Sequence, residues 1–442
     1  MSKANFSQIS PLKRIDILLL VLALCLAGKY LVVNHHKSQA DDFAPIYVAA
    51  KLMADGKSAS IYDHHPYLFH IVPPGEFKEA AEKIGFKGFL HPYVHLPLVS
   101  LLLRPLLFIP YRIMTKLLLV INFLSFMLSL HLILKLIGRE LNLRWLSVAI
   151  LAMCYFYPLR YGLWLGQTSP LIFLGITAVY YLANAGHLKT SGGILGGIIS
   201  LKITPLLLLP YFLIKKKWSL VLSSLITVVV IGIGSIVLAG WESNLAFFQN
   251  LIRLSGLSLA SWNNQSLDGF LLRWTTYASH IYDWHLLELS FKMKLVKFVI
   301  LSSMLLLWLI ILFRPTNPNE KNRDLIDFSF ILILLSIFTP ISWSHYLLFL
   351  VFPYIVLLST LIQNKTMPYR NPLIAGLLLS YLWVALPPPY LLALVDFPLI
   401  SKVPLPVLSS LSFLGGILLI IIILSYTIFT RKTSRKLEHI SR

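Results

Sequence analysis

What most constrains this chain is the recurrence of apolar runs of membrane-crossing length, from "ILLLVLALCLAGKYLVV" near the N-terminus to "FLGGILLIIIILSYTIF" near the C-terminus. Inside a bilayer every backbone N–H and C=O must be satisfied within the protein, which leaves only helices and closed barrels. Barrel strands alternate apolar and polar residues over about ten positions. These runs do not alternate, so they are read as helices. A hydrocarbon core about 30 Å thick takes roughly 17–25 helical residues. Segments of that kind recur at 15–33, 112–137, 145–161, 168–186, 218–240, 296–313, 325–341, 344–362, 372–392 and 407–430. The expected fold is an all-α polytopic membrane protein, a single integral membrane domain over 1–442 with about ten full crossings. A chain that is 57% hydrophobic and 13% charged is too apolar for a water-soluble globule.

The net charge of +20 does not point to nucleic acid, because of where the charge sits. Basic clusters fall at the ends of the apolar runs: Lys13-Arg14, Lys135 to Arg144, Lys215-Lys216-Lys217, Lys321 to Arg323 and "RKTSRK" at 431–436. That is the distribution of cytoplasmic loops facing anionic lipids. The first apolar run is long and has no small-residue cleavage site, so it is read as an uncleaved span. Cys25 and Cys154 both fall within spans and are read as packing residues. Threading the clusters and the 431–442 tail into the cytoplasm of a bacterial cell, with the chain in the plasma membrane, leaves two long outer loops, 34–111 and 241–295. These loops hold most of the 18 acidic residues, so function is expected on the outer side. The segment 191–214 breaks the pattern, with basic residues at both ends. It is read as a broken pair of short helices meeting at "SLKITP", where Pro205 interrupts the hydrogen-bond ladder. Lys202 then lies deep in the membrane, where a cation needs a partner or a polar path.

Several stretches carry chemistry, each with a plainer alternative. Asp41 and Asp42 precede a helix-like segment. Asp42 reads first as its N-cap and second as a general base at the membrane surface, roles that can coexist. "FLHPYVHLPLVSLLLRPLLFIPYR" (89–112) reads as a pair of interfacial helices. There Arg104 is a candidate for a phosphate or lipid headgroup, and His91 and His95 stand at metal-ligand spacing interrupted by prolines. Gln167 follows Gly166 at an outer turn, and Trp262, Asn264, Gln265 and Ser266 combine an aromatic ring with amides as sugar sites do. Arg273 ends that stretch, and His345 opens a span. No phosphate-binding loop, dinucleotide fingerprint or zinc-protease motif is present. No cofactor and no metal is expected.

Taken in order, "DDFAPIYVAAKLMADG", "PLVSLLLRPL", "GQ", "SGGILGGIISLKITPLLLLP", "NQSLDGFLLR" and "SWSHYLLFLVF" resemble glycosyltransferase family 87, from about Asp42 to about Pro353. The resemblance implies a GT-C fold and a mannosyltransferase. Such an enzyme moves the sugar from a polyprenyl-phosphate donor to a hydroxyl of a lipid or cell-envelope glycan outside the cytoplasm, with inversion and without nucleotide. It places Asp42 at the family's first-loop base, with Asp41 as an extra neighbour. Gln167, Lys202, Asn264, Gln265, Ser266, Arg273 and His345 fall on its recurrent positions, and Lys202, Arg273, His345 and Arg104 become candidates for the donor phosphate. The chain reads "GQTS" where the family more often has "GQ.N". A lipid-linked sugar flippase or transporter, or an O-antigen ligase, is the competing expectation. The absence of intramembrane acids and repeats argues against the transporter.

Overall fold

The structure, a computed structural model, describes residues 11–62, 68–69, 71–140, 142–276, 279–314, 322–365, 367, 369–398 and 400–441. Lys321 and the side chains of Lys13 and of the 431–442 stretch lie outside the described residues. The chain runs from α1 (Pro11–Lys37) through α2 (Ala44–Ala54), α3 (Glu76–Lys83) and α4 (Pro97–Leu103) to α5 (Tyr111–Leu136). The chain continues through α6 (Leu143–Tyr155), α7 (Tyr157–Leu165), α8 (Ser169–Asn184), α9 (Leu188–Leu201), α10 (Leu209–Ile214) and α11 (Trp218–Ala239). Next come α12 (Trp241–Ser255), α13 (Leu267–Thr275), α14 (Phe291–Leu312), α15 (Arg323–Ile337) and α16 (Val351–Gln363). The last four are α17 (Arg370–Ala385), α18 (Pro388–Ala393), α19 (Leu405–Leu408) and α20 (Leu411–Ser441). Outside the helices, β1 (Leu257–Ser258) pairs antiparallel with β2 (Leu287–Glu288) within the 241–295 segment.

Among the described residues, six helices are long and apolar enough to cross a membrane: 14–34, α5, α11, α14, 344–363 and 411–430. The remaining expected spans are shorter or interrupted, mostly at proline. The 145–161 span is two helices meeting at Phe156, because Pro158 has no N–H to give and its ring would strike the Cys154 carbonyl. The 372–392 span stops at Ala385, before Pro387, Pro388 and Pro389. The 344–362 span opens as a tight 3₁₀ segment, Ser344–Leu350, since Pro353 cannot donate to the Phe349 carbonyl. The expected interfacial pair is α4 followed by a single 3₁₀ turn, Arg104–Leu106. At the C-terminus α20 continues as helix to Ser441.

Sides of the bundle facing lipid show their apolar residues openly. Val229 and Val237 of α11 are 57% and 75% exposed, and only 17% of the most apolar windows of α11 and of α14 is buried. By contrast α15 is buried along nearly its whole length and forms the centre of the core with α8, α16 and α20. One end of the bundle is basic. There Lys215 Nζ donates to Asp324 Oδ1 and Asp327 Oδ2 at 2.8 Å each, Arg314 pairs with the buried Asp327, and Arg144 Nε reaches Asp16 of α1 at 2.9 Å.

From that end α9 rises for 14 residues, about 21 Å at 1.5 Å per residue. The return, Thr204–Leu208 as 3₁₀ and then α10, covers roughly 19 Å. Neither arm alone is long enough to cross a core about 30 Å thick, and Lys202 ends α9 at the turn between them. Glycines let α9 lie against α11. A Cβ at Gly192 would stand 2.2 Å from the Leu220 carbonyl oxygen, and one at Gly196 would stand 2.6 Å from that of Ser224. This is the small-residue packing used between membrane helices.

Candidate active site

At the end opposite the basic cluster, the chain leaves α1 and turns sharply into α2, and that turn carries Asp41 and Asp42. Four hydrogen bonds fix it. Ser38 Oγ donates to the Trp164 carbonyl (2.5 Å) and accepts from Ala40 N–H (3.1 Å). Asp42 N–H donates to the Leu165 carbonyl (3.0 Å), and the Tyr111 hydroxyl donates to that of Gln39 (2.6 Å). They hold Ala40 at φ 53°, a left-handed conformation costing a non-glycine residue roughly 1–2 kcal/mol. Pressed against this turn is Gly166, at φ 66°. A Cβ there would stand 2.7 Å from that of Ala40 and 3.1 Å from that of Phe43. Both the backbone conformation and the close approach require glycine.

Asp42 is not an N-cap. The first turn of α2 begins at Ala44 after Phe43, and no side chain caps it. Its carboxylate is turned instead toward Gln167, whose Nε2 donates to Oδ2 at 2.6 Å, while His91 Nε2 lies 3.4 Å from Oδ1. Gln167 Oε1 in turn accepts from Lys202 Nζ at 2.8 Å. The order carboxylate, amide, ammonium fixes which way the amide faces, because the opposite flip would set its NH₂ against another donor. Asn122 of α5 anchors the Gln167 main chain by donating to its carbonyl at 2.8 Å. Lys202 adopts extended backbone angles that end α9, and its ammonium sits 4.4 Å from the Tyr346 ring centroid.

This relay lines a cavity of about 260 Å³, walled by rings that include Phe69, Tyr161, Trp262, Trp284 and Trp343. His345 also lines it, 2% exposed and with neither ring nitrogen hydrogen-bonded. A buried polar group left unpaired costs about 1–3 kcal/mol, so an imidazole in this state facing a cavity is suited to a polar ligand group. Asp41 Oδ1 is likewise buried without a partner. Burial, with the charge of Asp42 adding and that of His91 opposing, raises the Asp41 carboxyl to about 6. Burial and the nearby Lys202 charge push His95 down to about 4, leaving a neutral ring whose Nδ1–H donates to the Leu201 carbonyl at 3.2 Å.

Of the residues singled out in the sequence, Asp41, Asp42, Gln167, Lys202, Trp262 and His345 meet around the cavity. Arg104, Asn264, Gln265, Ser266 and Arg273 do not. Arg104 is exposed at the end of α4. Arg273 is fully buried. Its Nη1 donates to the Ser261 and Asn264 carbonyls and its Nε to Ser410 Oγ, each at 2.9 Å. Asn264 joins the Leu259 carbonyl to the Ser342 N–H, Gln265 joins the Ser409 carbonyl to the Phe413 N–H, and Ser266 caps α13 through Gly269 N–H. These groups tie the 258–273 stretch to the start of α20 and hold Trp262 and Asn263 at the cavity. His91 and His95 lie outside any helix and face different partners, Asp42 and Leu201. Asn263, Tyr161, Trp343 and Tyr346 line the cavity without having been singled out. Their only signal was adjacency, beside Asn264, before "GQ" and on either side of His345.

A polytopic helical bundle with an acid, an amide and a cation joined along the wall of a ring-lined cavity at one end defines a membrane protein with a site suited to a polar ligand. The sequence matches glycosyltransferase family 87 over residues 93–340, more than half of the chain, and the protein belongs to that family. It is a membrane glycosyltransferase. No curated protein and no solved structure gives a significant match to it. The matched stretch contains Gln167, Lys202 and the 264–273 tract, whereas Asp41, Asp42 and His345 lie outside it.

Proposed function

We propose that the protein transfers a sugar, mannose in the first instance, from a polyprenyl-phosphate carrier to a hydroxyl of a lipid or cell-envelope glycan, on the outer face of a bacterial plasma membrane. The observation that carries this is the Asp42–Gln167–Lys202 relay, which sets a base and a phosphate-binding cation on one cavity wall at fixed separation. The acceptor oxygen attacks the anomeric carbon and its proton passes to Asp42. The bond from that carbon to the phosphate oxygen breaks, and its electron pair leaves with the phosphate. A phosphodiester becomes a monoester and gains charge as it departs, so Lys202 and His345 beside it stabilise the transition state more than the ground state. Attack from the side opposite the leaving group inverts the centre. Gln167 holds Asp42 and Lys202 in register, and Trp262 with Asn263 offers a ring face and an amide to the sugar. A cavity of about 260 Å³ suits a sugar-sized group, with the prenyl tail left in the bilayer.

The test is transfer by purified protein given labelled polyprenyl-phosphate mannose and, separately, the glucose and nucleotide-linked donors, with a membrane extract as acceptor. Transfer from the mannosyl lipid alone, abolished in Asp42→Asn at normal folded yield, is expected. Transfer from a nucleotide sugar, or unimpaired transfer by that variant, contradicts the reading.

A further inference from the structure

The 241–295 segment holds a cluster that the relay does not use. Its "HIYDWH" tract brings His280, Asp283 and His285 onto one turn. His280 Nδ1 lies 2.9 Å from Asp283 Oδ2 and His285 Nδ1 lies 3.1 Å from Asp283 Oδ1, and the three donor atoms all fall within 4.8 Å of one another. The buried His285 Nδ1 makes no hydrogen bond despite its short distance to the carboxylate. It faces the Asp283 carboxylate on a side chain that is 42% exposed, within reach of an ion from solution. Two imidazoles and a carboxylate form a donor set for borderline divalent metals, bound at about 2.0–2.2 Å in tetrahedral sites. Such bonds place neighbouring donors roughly 3.3–3.5 Å apart, against 2.9 and 3.1 Å from each imidazole to the carboxylate and at most 4.8 Å among the three here. Spacings of two and one residues keep the loop-closure cost small.

We propose that His280, Asp283 and His285 bind a zinc-class divalent ion, with the fourth position open to water. The ion is structural. Trp284, between two of the ligands, lines the cavity, and its carbonyl accepts from Phe69 N–H at 3.0 Å, while His285 forms a β-bridge with Leu68. An ion on this turn therefore fixes the strip joining the 34–111 and 241–295 segments and holds the Phe69 and Trp284 rings over the cavity. Metal binding stands independently of the transfer reaction.

Full-length, tag-free protein stripped with a chelator and titrated with Zn²⁺ or Co²⁺ tests the proposal. One equivalent per chain is expected, with the visible absorption of four-coordinate Co²⁺ and a rise in thermal midpoint with Zn²⁺. All three should be lost in His285→Ala, and affinity should fall at least tenfold in His280→Ala. If His285→Ala fails to fold, Asp283→Asn, which preserves the size and most hydrogen bonds of the turn, takes its place. Absence of stoichiometric metal in the wild type, or undiminished binding by a folded ligand variant, overturns the site.

Discussion

Two polar clusters lie near the same end of the bundle, and they differ in what they leave unsatisfied. Around Arg273 four acceptors and a cation close on one another, with Asn264, Gln265 and Ser266 each spending their donors and acceptors on backbone groups. Around Lys202 the hydrogen bonds run in one line along a cavity wall, and His345 and Asp41 carry polar atoms with no partner at all. The first cluster leaves only Arg273 Nη2 without a partner, and Arg273 does not line the cavity, so the cluster acts as a fastener. The second turns its open atoms toward a cavity, and where such atoms face, more than how many there are, separates a site from a scaffold.

Substitutions can break this contrast or sharpen it. The largest effect is expected for Asp42→Asn, a loss of about 10²–10⁴ in kcat, the usual worth of a general base, with unchanged elution and thermal midpoint. Arg273→Met should do the reverse. Leaving several buried carbonyls unpaired costs roughly 3 kcal/mol, read as reduced folded yield and a lower midpoint, while turnover per folded molecule stays within about twofold. If Arg273→Met instead folds normally and loses turnover, the fastener reading is wrong. Lys202→Met is expected to cost about 10²-fold in kcat, in the range of removing one oxyanion donor, and partial recovery in Lys202→Arg separates charge from shape.

The smallest effect is expected at Asp41. Its carboxyl is raised to about 6 from an ordinary 3.8, so its favourable contribution to folding is complete below about pH 4 and is lost as pH rises through 6. Asp41→Asn should therefore be more stable relative to wild type at pH 7.5 than at pH 4.5, by about 1–2 kcal/mol after solvent screening. A pH-independent difference between the two proteins' midpoints contradicts that account.

The sequence makes the bundle legible because a bilayer admits few alternatives: apolar length reports helices, and basic residues report one side. Its errors gather where proline and depth compete. Phe156, Ala385 and the 344–350 segment show that an unbroken apolar run need not be one unbroken helix. For the cavity, Lys202 was legible from cost alone, since a cation there demands a partner, and its partner Gln167 came from the order of motifs. Arg273 and Asn264 misled because a side chain that binds a ligand and one that binds its own backbone are the same residue types at similar spacing. Only whether the side chain reaches the cavity, a three-dimensional property, tells them apart. Tyr161, Trp343 and Asn263 were silent because an aromatic or amide residue at a membrane surface has ordinary reasons to be there.

The pair formed by α9 and α10 also bears on how the chain is made. The glycine face of α9 rests on carbonyls of Leu220 and Ser224, which leave the ribosome roughly one to five seconds after Leu201 at about 5–20 residues per second. During that interval the hairpin has α8 behind it but no α11, and its tip bears an ammonium group in a lipid environment. Gln167, already synthesised, is the available partner. The same contact that sets the proposed catalytic register thus also gives the turn between α9 and α10 a polar partner before α11 is made.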